Sequence, residues 1–294
     1  CGLMFPIIPA NSATASGNQE GIFGFGYISG ATAVTNLVSN AGVVATDTAG
    51  VGTARWGPSS CEYGGDKGIF GYGNGYTAVT NLVSNAGVVA TDTAGVGTAR
   101  EGSAACSYGE DKGIFGFGHT GSLSAVTNLV SNAGVVATDT AGVGTARYYP
   151  AACEYGGDKG IFGFGGSPNT AITNLVSNTG VVATDTAGVG TARQGIGSCE
   201  YGSDKGIFGF STGSGATNLV SNTGVVASDV AQVGTARGML AATQYGGDKG
   251  IFGYGKASGV NSAITNLVSN AGVVATDTAG VGTAREAPDA CSFN

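Results

Sequence analysis

Apolar residues along this chain come in short runs of about five, the length of a strand rather than a helix. One repeat carries Gly68-Ile69-Phe70-Gly71-Tyr72-Gly73, then Thr80-Asn81-Leu82-Val83, then Val88-Val89-Ala90, and ends in a small-residue run closing at Tyr108. Turn signals such as Asn40-Ala41-Gly42 and Gly64-Gly65-Asp66 separate the runs. β-Branched residues dominate them and glycine interrupts every ten residues or so, a pattern that opposes helix and predicts four short strands per unit.

The unit recurs. TNLVSN begins at Thr35, Thr80, Thr127, Thr173, Thr217 and Thr265, and each copy runs on to Arg55, Arg100, Arg147, Arg193, Arg237 or Arg285. A period in the forties with four antiparallel strands is that of a propeller blade, whereas the coils of a parallel β-helix are much shorter. The expectation is therefore an all-β fold: a six-bladed β-propeller of four-stranded antiparallel blades over 21–294, preceded by an N-terminal extension, 1–20. Its second, third and fourth strands each occur six times from Gly21 onward, while 286–294 matches a first strand and stops. The C-terminal strand is expected to complete the first blade and cover its edge. The segment 13–20 competes for the same place.

The order Arg, variable positions, small residues, Tyr, Gly-Gly-Asp-Lys, Ile-Phe-Gly-Phe-Gly, as in 147–165, resembles the kelch repeat. In that repeat an Arg precedes the first strand and glycines end the second. The resemblance covers nearly the whole chain and implies a propeller. It departs where kelch repeats carry a Tyr and a Trp, since Leu37 or Val38 and Val43 or Val44 stand there. Such monotonous repeats also resemble environmental bacterial and phage surface propellers.

All length variation lies between the GFG or GYG run and TNLVSN, and sequence variation also follows each Arg. In an up-and-down blade these two segments share one face, while GGDK and SNAG or SNTG lie on the other. One face is standardised and the other diversified, as in a scaffold that presents a recognition surface. The only Trp (Trp56), the only His (His119), and Tyr27, Tyr76, Tyr148 and Tyr149 all fall in the variable segments. They are the candidate binding residues, able to stack on sugars or anchor a protein.

Other chemistry is sparse. A net charge of −7 without a basic run argues against nucleic acid, and no apolar stretch is long enough to cross a membrane as a helix. One Arg and two Asp per repeat read as structural pairing. Five of six cysteines occupy one repeat position and read as small buried residues; Cys1 and Cys291 are the candidate disulfide. A single histidine and no CxxC leave no metal site, and no cofactor is expected. Gly116–Gly121 matches GxGxxG but lies between strands, not at a strand-to-helix turn. Glu62, Glu154 and Glu200, on separate blades, do not suggest a two-carboxylate catalytic pair. The expected function is a non-enzymatic propeller binding a glycan or protein on an extracellular, cell or virion surface. The alternatives are a structural subunit assembling through residues 1–17 and a glycan-active enzyme.

Overall fold

The computed structural model describes residues 18–293, and these form strands and turns with no helix. In chain order the first sheet opens with β1 (Gly21–Tyr27) and β2 (Ala31–Val38). The second holds β3 (Ser59–Tyr63), β4 (Lys67–Gly71) and β5 (Thr80–Val83); the third, β6 (Ala104–Tyr108), β7 (Lys112–Gly116) and β8 (Thr127–Val130). The fourth holds β9 (Ala151–Tyr155), β10 (Lys159–Gly163) and β11 (Thr173–Val176). The fifth holds β12 (Gly197–Tyr201), β13 (Lys205–Ser211) and β14 (Ser214–Val220). The sixth holds β15 (Ala241–Tyr245), β16 (Lys249–Gly253) and β19 (Thr265–Val268), with the two-residue strands β17 (Lys256–Ala257) and β18 (Val260–Asn261) forming a hairpin between the last two. The final strand, β20 (Asp289–Ser292), returns to the first sheet.

There it pairs antiparallel with β1, Ile22 opposite Cys291 and Phe23 opposite Ala290. The C-terminal segment thus takes the place for which 13–20 competed. The first strands are also neighbours in series: β3 packs beside β6, β6 beside β9, β9 beside β12, β12 beside β15, β15 beside β20, and β20 beside β3.

Each of the six repeat sheets has three strands, not the four expected, and β17 and β18 pair only with each other. The fourth segment makes only isolated bridges to the third strand, such as Val38 to Val44 and Thr35 to Thr48. Between those bridges the Asn36 side chain takes the ladder's place, its Nδ2 donating to Ala45 O at 3.0 Å and to Asp47 Oδ1 at 2.9 Å. Beyond Val44 the Ala, Thr, Asp and Gly residues are exposed and have no apolar face to hold them on a sheet.

The core lies between sheets. Phe25 meets Phe70 edge-on with centroids 5.2 Å apart, and equivalent pairs recur round to Phe23 and Tyr254 at 5.1 Å. Glycine makes this approach feasible: a Cβ on Gly24 would sit 2.8 Å from the Phe70 ring.

A second joint uses the repeat arginines; the structural pairing with Asp expected of them is an ion pair at Arg193 and Asp229, 3.5 Å apart, and the joint is otherwise made with rings, carbonyls and amides. Arg55 is 2 % exposed. Its guanidinium lies 4.1 Å from the Phe25 ring centroid, Nε donates to Tyr72 O at 2.8 Å, and Nη2 donates to Asn81 Oδ1 at 2.8 Å. One side chain therefore grips the ring of one sheet and the backbone of the next. Arg285 repeats this between Tyr254 and Phe25 O. A cation over a ring contributes about 0.5–2 kcal/mol when desolvated. The aromatic residue at each joint has positive φ, 64° at Phe25 and 63° at Tyr254, a strained conformation for a non-glycine residue that the surrounding contacts must sustain. The Asp of the fourth segment latches the neighbouring linker: Asp92 accepts from Thr53 Oγ1 at 2.6 Å and Thr53 N at 3.0 Å.

Candidate binding face

The second residue after each repeat Arg has positive φ: Gly57, Gly102, Tyr149, Gly195, Met239 and Ala287. Their backbones link in series. Gly57 N donates to Ala287 O, Ala287 N to Met239 O and Met239 N to Gly195 O, each at 2.8 Å, and the series continues through Tyr149 to Gly102. Glycine at 57 and 102 leaves space that tyrosines fill. A Cβ at Gly57 would lie 3.4 Å from the Tyr149 hydroxyl, and one at Gly102 would lie 2.3 Å from the Tyr148 ring.

All six predicted binding residues reach this face. Tyr27, Trp56, Tyr148 and Tyr149 line a cavity of about 450 Å³ together with Met239, Glu286 and Ala287. The Tyr148 and Tyr149 rings meet at a 48° tilt with centroids 4.1 Å apart, His119 lies 5.5 Å from Tyr148, and Tyr76 lies 5.9 Å from His119. A 3.1 Å hydrogen bond joins Tyr76 Oη and His119 Nδ1. Tyr76 and His119 extend the aromatic surface outward without lining the cavity.

Sequence reasoning missed the carboxylates of this face. The Tyr148 hydroxyl donates to Glu101 Oε1 at 3.0 Å, and Glu286 pairs with Lys256 at 2.9 Å. Burial, with the Glu101 charge, pushes the Tyr148 phenol up to about 12, and burial drives Tyr149 higher still. The Tyr149 hydroxyl is enclosed and has no hydrogen-bond partner. Glu101, Met239 and Glu286 all stand in the variable stretch after a repeat Arg. Their position after a repeat Arg is the signal that marks them in the sequence.

Behind this mouth lies a cavity of about 80 Å³ enclosed by residues of all six first strands and sharing Tyr149, Met239 and Ala287 with the aromatic cavity. A further cavity of about 70 Å³ lies toward the other end, and Glu62, Glu154 and Glu200 line it together. The expectation that separate sheets keep these carboxylates apart is corrected: successive side chains of a strand alternate, and this parity turns Glu62, Glu154 and Glu200 inward. Burial raises all three. Glu62 is pushed up to about 7, Glu200 to about 8 with help from the Glu62 charge, and Glu154 upward with help from Glu200 and Glu62. Glu62 accepts from Ser292 Oγ at 2.7 Å. Asp289, lining the 80 Å³ cavity, is raised by burial to about 7. Among the described residues no group of three or more His, Cys, Asp or Glu is placed to hold a metal ion.

Cys61, Cys106, Cys153, Cys199 and Cys291 are buried free thiols. They pack on neighbouring glycines: a Cβ on Gly113 would lie 2.4 Å from Cys61 Sγ. Cys1, and with it the Cys1–Cys291 disulfide, lies outside the described residues, as does the assembly segment 1–17. No helix of the described residues is long and apolar enough to cross a membrane. No protein-family model matches the chain, and no curated protein is significantly similar to it.

Proposed function

We propose that the six sheets are blades of a closed β-propeller, kelch-like in its repeat order, and that the chain is a non-enzymatic binding module acting through its variable aromatic face. The serial packing of the first strands, with β20 between β15 and β3, supports the closed ring. One observation carries the binding reading: residues as distant in sequence as Tyr27, Trp56, Tyr148 and Glu286 line one cavity, so the face is assembled only when the first and last repeats meet. Aromatic side chains presented by loops on a rigid frame are the usual means of anchoring a sugar or protein surface. An acidic, glycine-rich chain with few charges suits an extracellular, cell-surface or virion-surface setting. A panel of immobilised glycans and envelope proteins, probed with the parent chain and with the double variant Trp56→Ala/Tyr148→Ala, tests this reading. Binding lost in the variant is expected; binding retained at full strength would move the site elsewhere.

A structural subunit is the second reading, favoured by Val43, Val88, Val135, Val181, Val225 and Val273, equivalent positions that are each 63–65 % exposed. Concentration-dependent light scattering separates the two, since ordered stacks support assembly and a stable monomer supports the binding module.

A further inference from the structure

The cavity of the aromatic face is poor in directed hydrogen-bonding groups. Of its three tyrosine hydroxyls, that of Tyr148 is engaged by Glu101 and that of Tyr149 is sealed from solvent. Its one carboxylate, Glu286, is already paired through Oε1 with Lys256. A sugar ring, bristling with hydroxyls, would find few partners for them here.

The cavity is rich instead in π-faces, since Tyr27, Trp56, Tyr148 and Tyr149 all line it. Neither Tyr27 nor Trp56 makes a ring–ring contact among the described residues, so both stand apart from the tilted Tyr148–Tyr149 pair, with the space between them open to a ligand. The 80 Å³ cavity that opens behind them is lined by Asp289 and by no lysine, arginine or histidine, and the same holds for the far cavity with its three glutamates. Aromatic faces with no cationic side chain lining the space between them and few free hydrogen-bonding groups favour a cation that needs no hydrogen bonds.

We propose that the cavity among Tyr27, Trp56, Tyr148 and Tyr149 binds a trimethylammonium group, as carried by choline-type head groups or trimethylated lysine. This rests on the aromatic face being the binding site. A trimethylammonium ion has no N–H to satisfy, so the scarcity of acceptors costs it nothing, and Met239 offers a soft, polarizable contact for its methyls. The 450 Å³ volume leaves room for the chain that bears the head group.

Trp56 is the only tryptophan, so its emission reports this cavity alone. The chain is titrated with choline, phosphocholine and trimethyllysine, and in parallel with the neutral dimethylbutanol isostere of choline, in which carbon replaces nitrogen. Saturable change with choline at least about five-fold tighter than with the isostere is expected, that ratio being what a cation over aromatic faces supplies. Tyr148→Leu is expected to weaken choline several-fold while leaving the unfolding midpoint close to the parent's, and Glu286→Gln to weaken it without altering any ring. A stronger response to phosphocholine than to trimethyllysine assigns the group to a lipid or polymer head group, and the reverse assigns it to a modified protein. Equal affinity for choline and the isostere, or no response to any of the three cations, overturns the proposal. If a glycan moves Trp56 emission while the cations do not, the cation inference falls and the binding face stands; if a partner binds with Trp56 emission unmoved, the face itself is wrong.

Discussion

Raising the pH from 4.5 to 8 loads charge into the 70 Å³ cavity lined by Glu62, Glu154 and Glu200. Glu200 is held up to about 8 and Glu62 to about 7 by burial, and each adds to the cost of ionising Glu154. A carboxyl raised in the folded state binds more protons folded than unfolded, so stability falls as pH rises from the unfolded value near 4.5 through the folded one. At about 1.4 kcal/mol per pH unit, a single group carried to about 8 costs on the order of 5 kcal/mol at full burial, and the partial exposure of the Glu200 side chain lowers that to about 2 kcal/mol. The fourth-segment aspartates act in the opposite sense. Burial raises Asp92, but hydrogen bonds from Thr53 and Asn81 and the Arg55 charge outweigh it and hold it below 3.8; Asp47, Asp139, Asp185, Asp229 and Asp277 behave alike. Their contribution is present above 3.8 and is lost as pH falls through the depressed values. Urea unfolding across pH 2.5 to 8.5 should therefore show greatest stability near pH 4 to 5 and a decline toward 8. Glu200→Gln should flatten that decline and raise stability at pH 8 by about 2 kcal/mol. Glutamine fits the position, since Gln244 occupies it in the sixth sheet. A midpoint that is constant or rising between pH 5 and 8, or a variant with the parent's slope, would refute this reasoning.

Other outcomes follow from the joints between sheets. Asp92→Ala removes the hydrogen bonds to Thr53 and Asn81 and is expected to cost about 1–3 kcal/mol by urea unfolding; a loss under 0.5 kcal/mol would mean the latch is idle. Gly209→Ala places a Cβ 2.7 Å from Phe252 and should destabilise by about 1–3 kcal/mol, whereas Gly30→Ala, with nothing within 4 Å, should change little. The buried thiols Cys61, Cys106, Cys153, Cys199 and Cys291, whose ionisation burial opposes, should resist a thiol-labelling reagent in the native chain. Labelled peptides from those positions without denaturant would contradict their packing.

Much of this architecture was legible in the repeats. The alternation of GIFGFG and TNLV gave two strands per unit, and the leftover 286–294 gave the pairing of β20 with β1, because an unmatched edge calls for its missing strand. The aromatic face was legible because internal comparison separates variable from fixed positions. The fourth strand was over-read: VVATD has β-branched residues, but Asn36 and its equivalents draw its carbonyl and carboxylate to side-chain amides, and exposed Ala and Thr add no burial to hold a ladder. The arginine over an aromatic ring was hidden because charge pattern alone suggests an ion pair. The convergence of Glu62, Glu154 and Glu200 depends on which face of a small-residue strand looks inward, and a run such as Ser-Ser-Cys-Glu-Tyr has no clear polar side to declare it.

The binding face requires the first and last repeats to meet, since Tyr27 and Glu286 line the same cavity. They exchange backbone hydrogen bonds, Tyr27 N to Glu286 O at 2.8 Å and Glu286 N to Tyr27 O at 3.1 Å, which sets their Cα atoms about 5.5 Å apart, within disulfide reach. The most direct measurement is therefore oxidation of the double variant Tyr27→Cys/Glu286→Cys, read by peptide mass spectrometry under dilute native conditions. A quantitative intrachain disulfide between positions 27 and 286 is the predicted result. Disulfide-linked dimers, or thiols at both positions that stay free, would contradict closure and the binding face built on it.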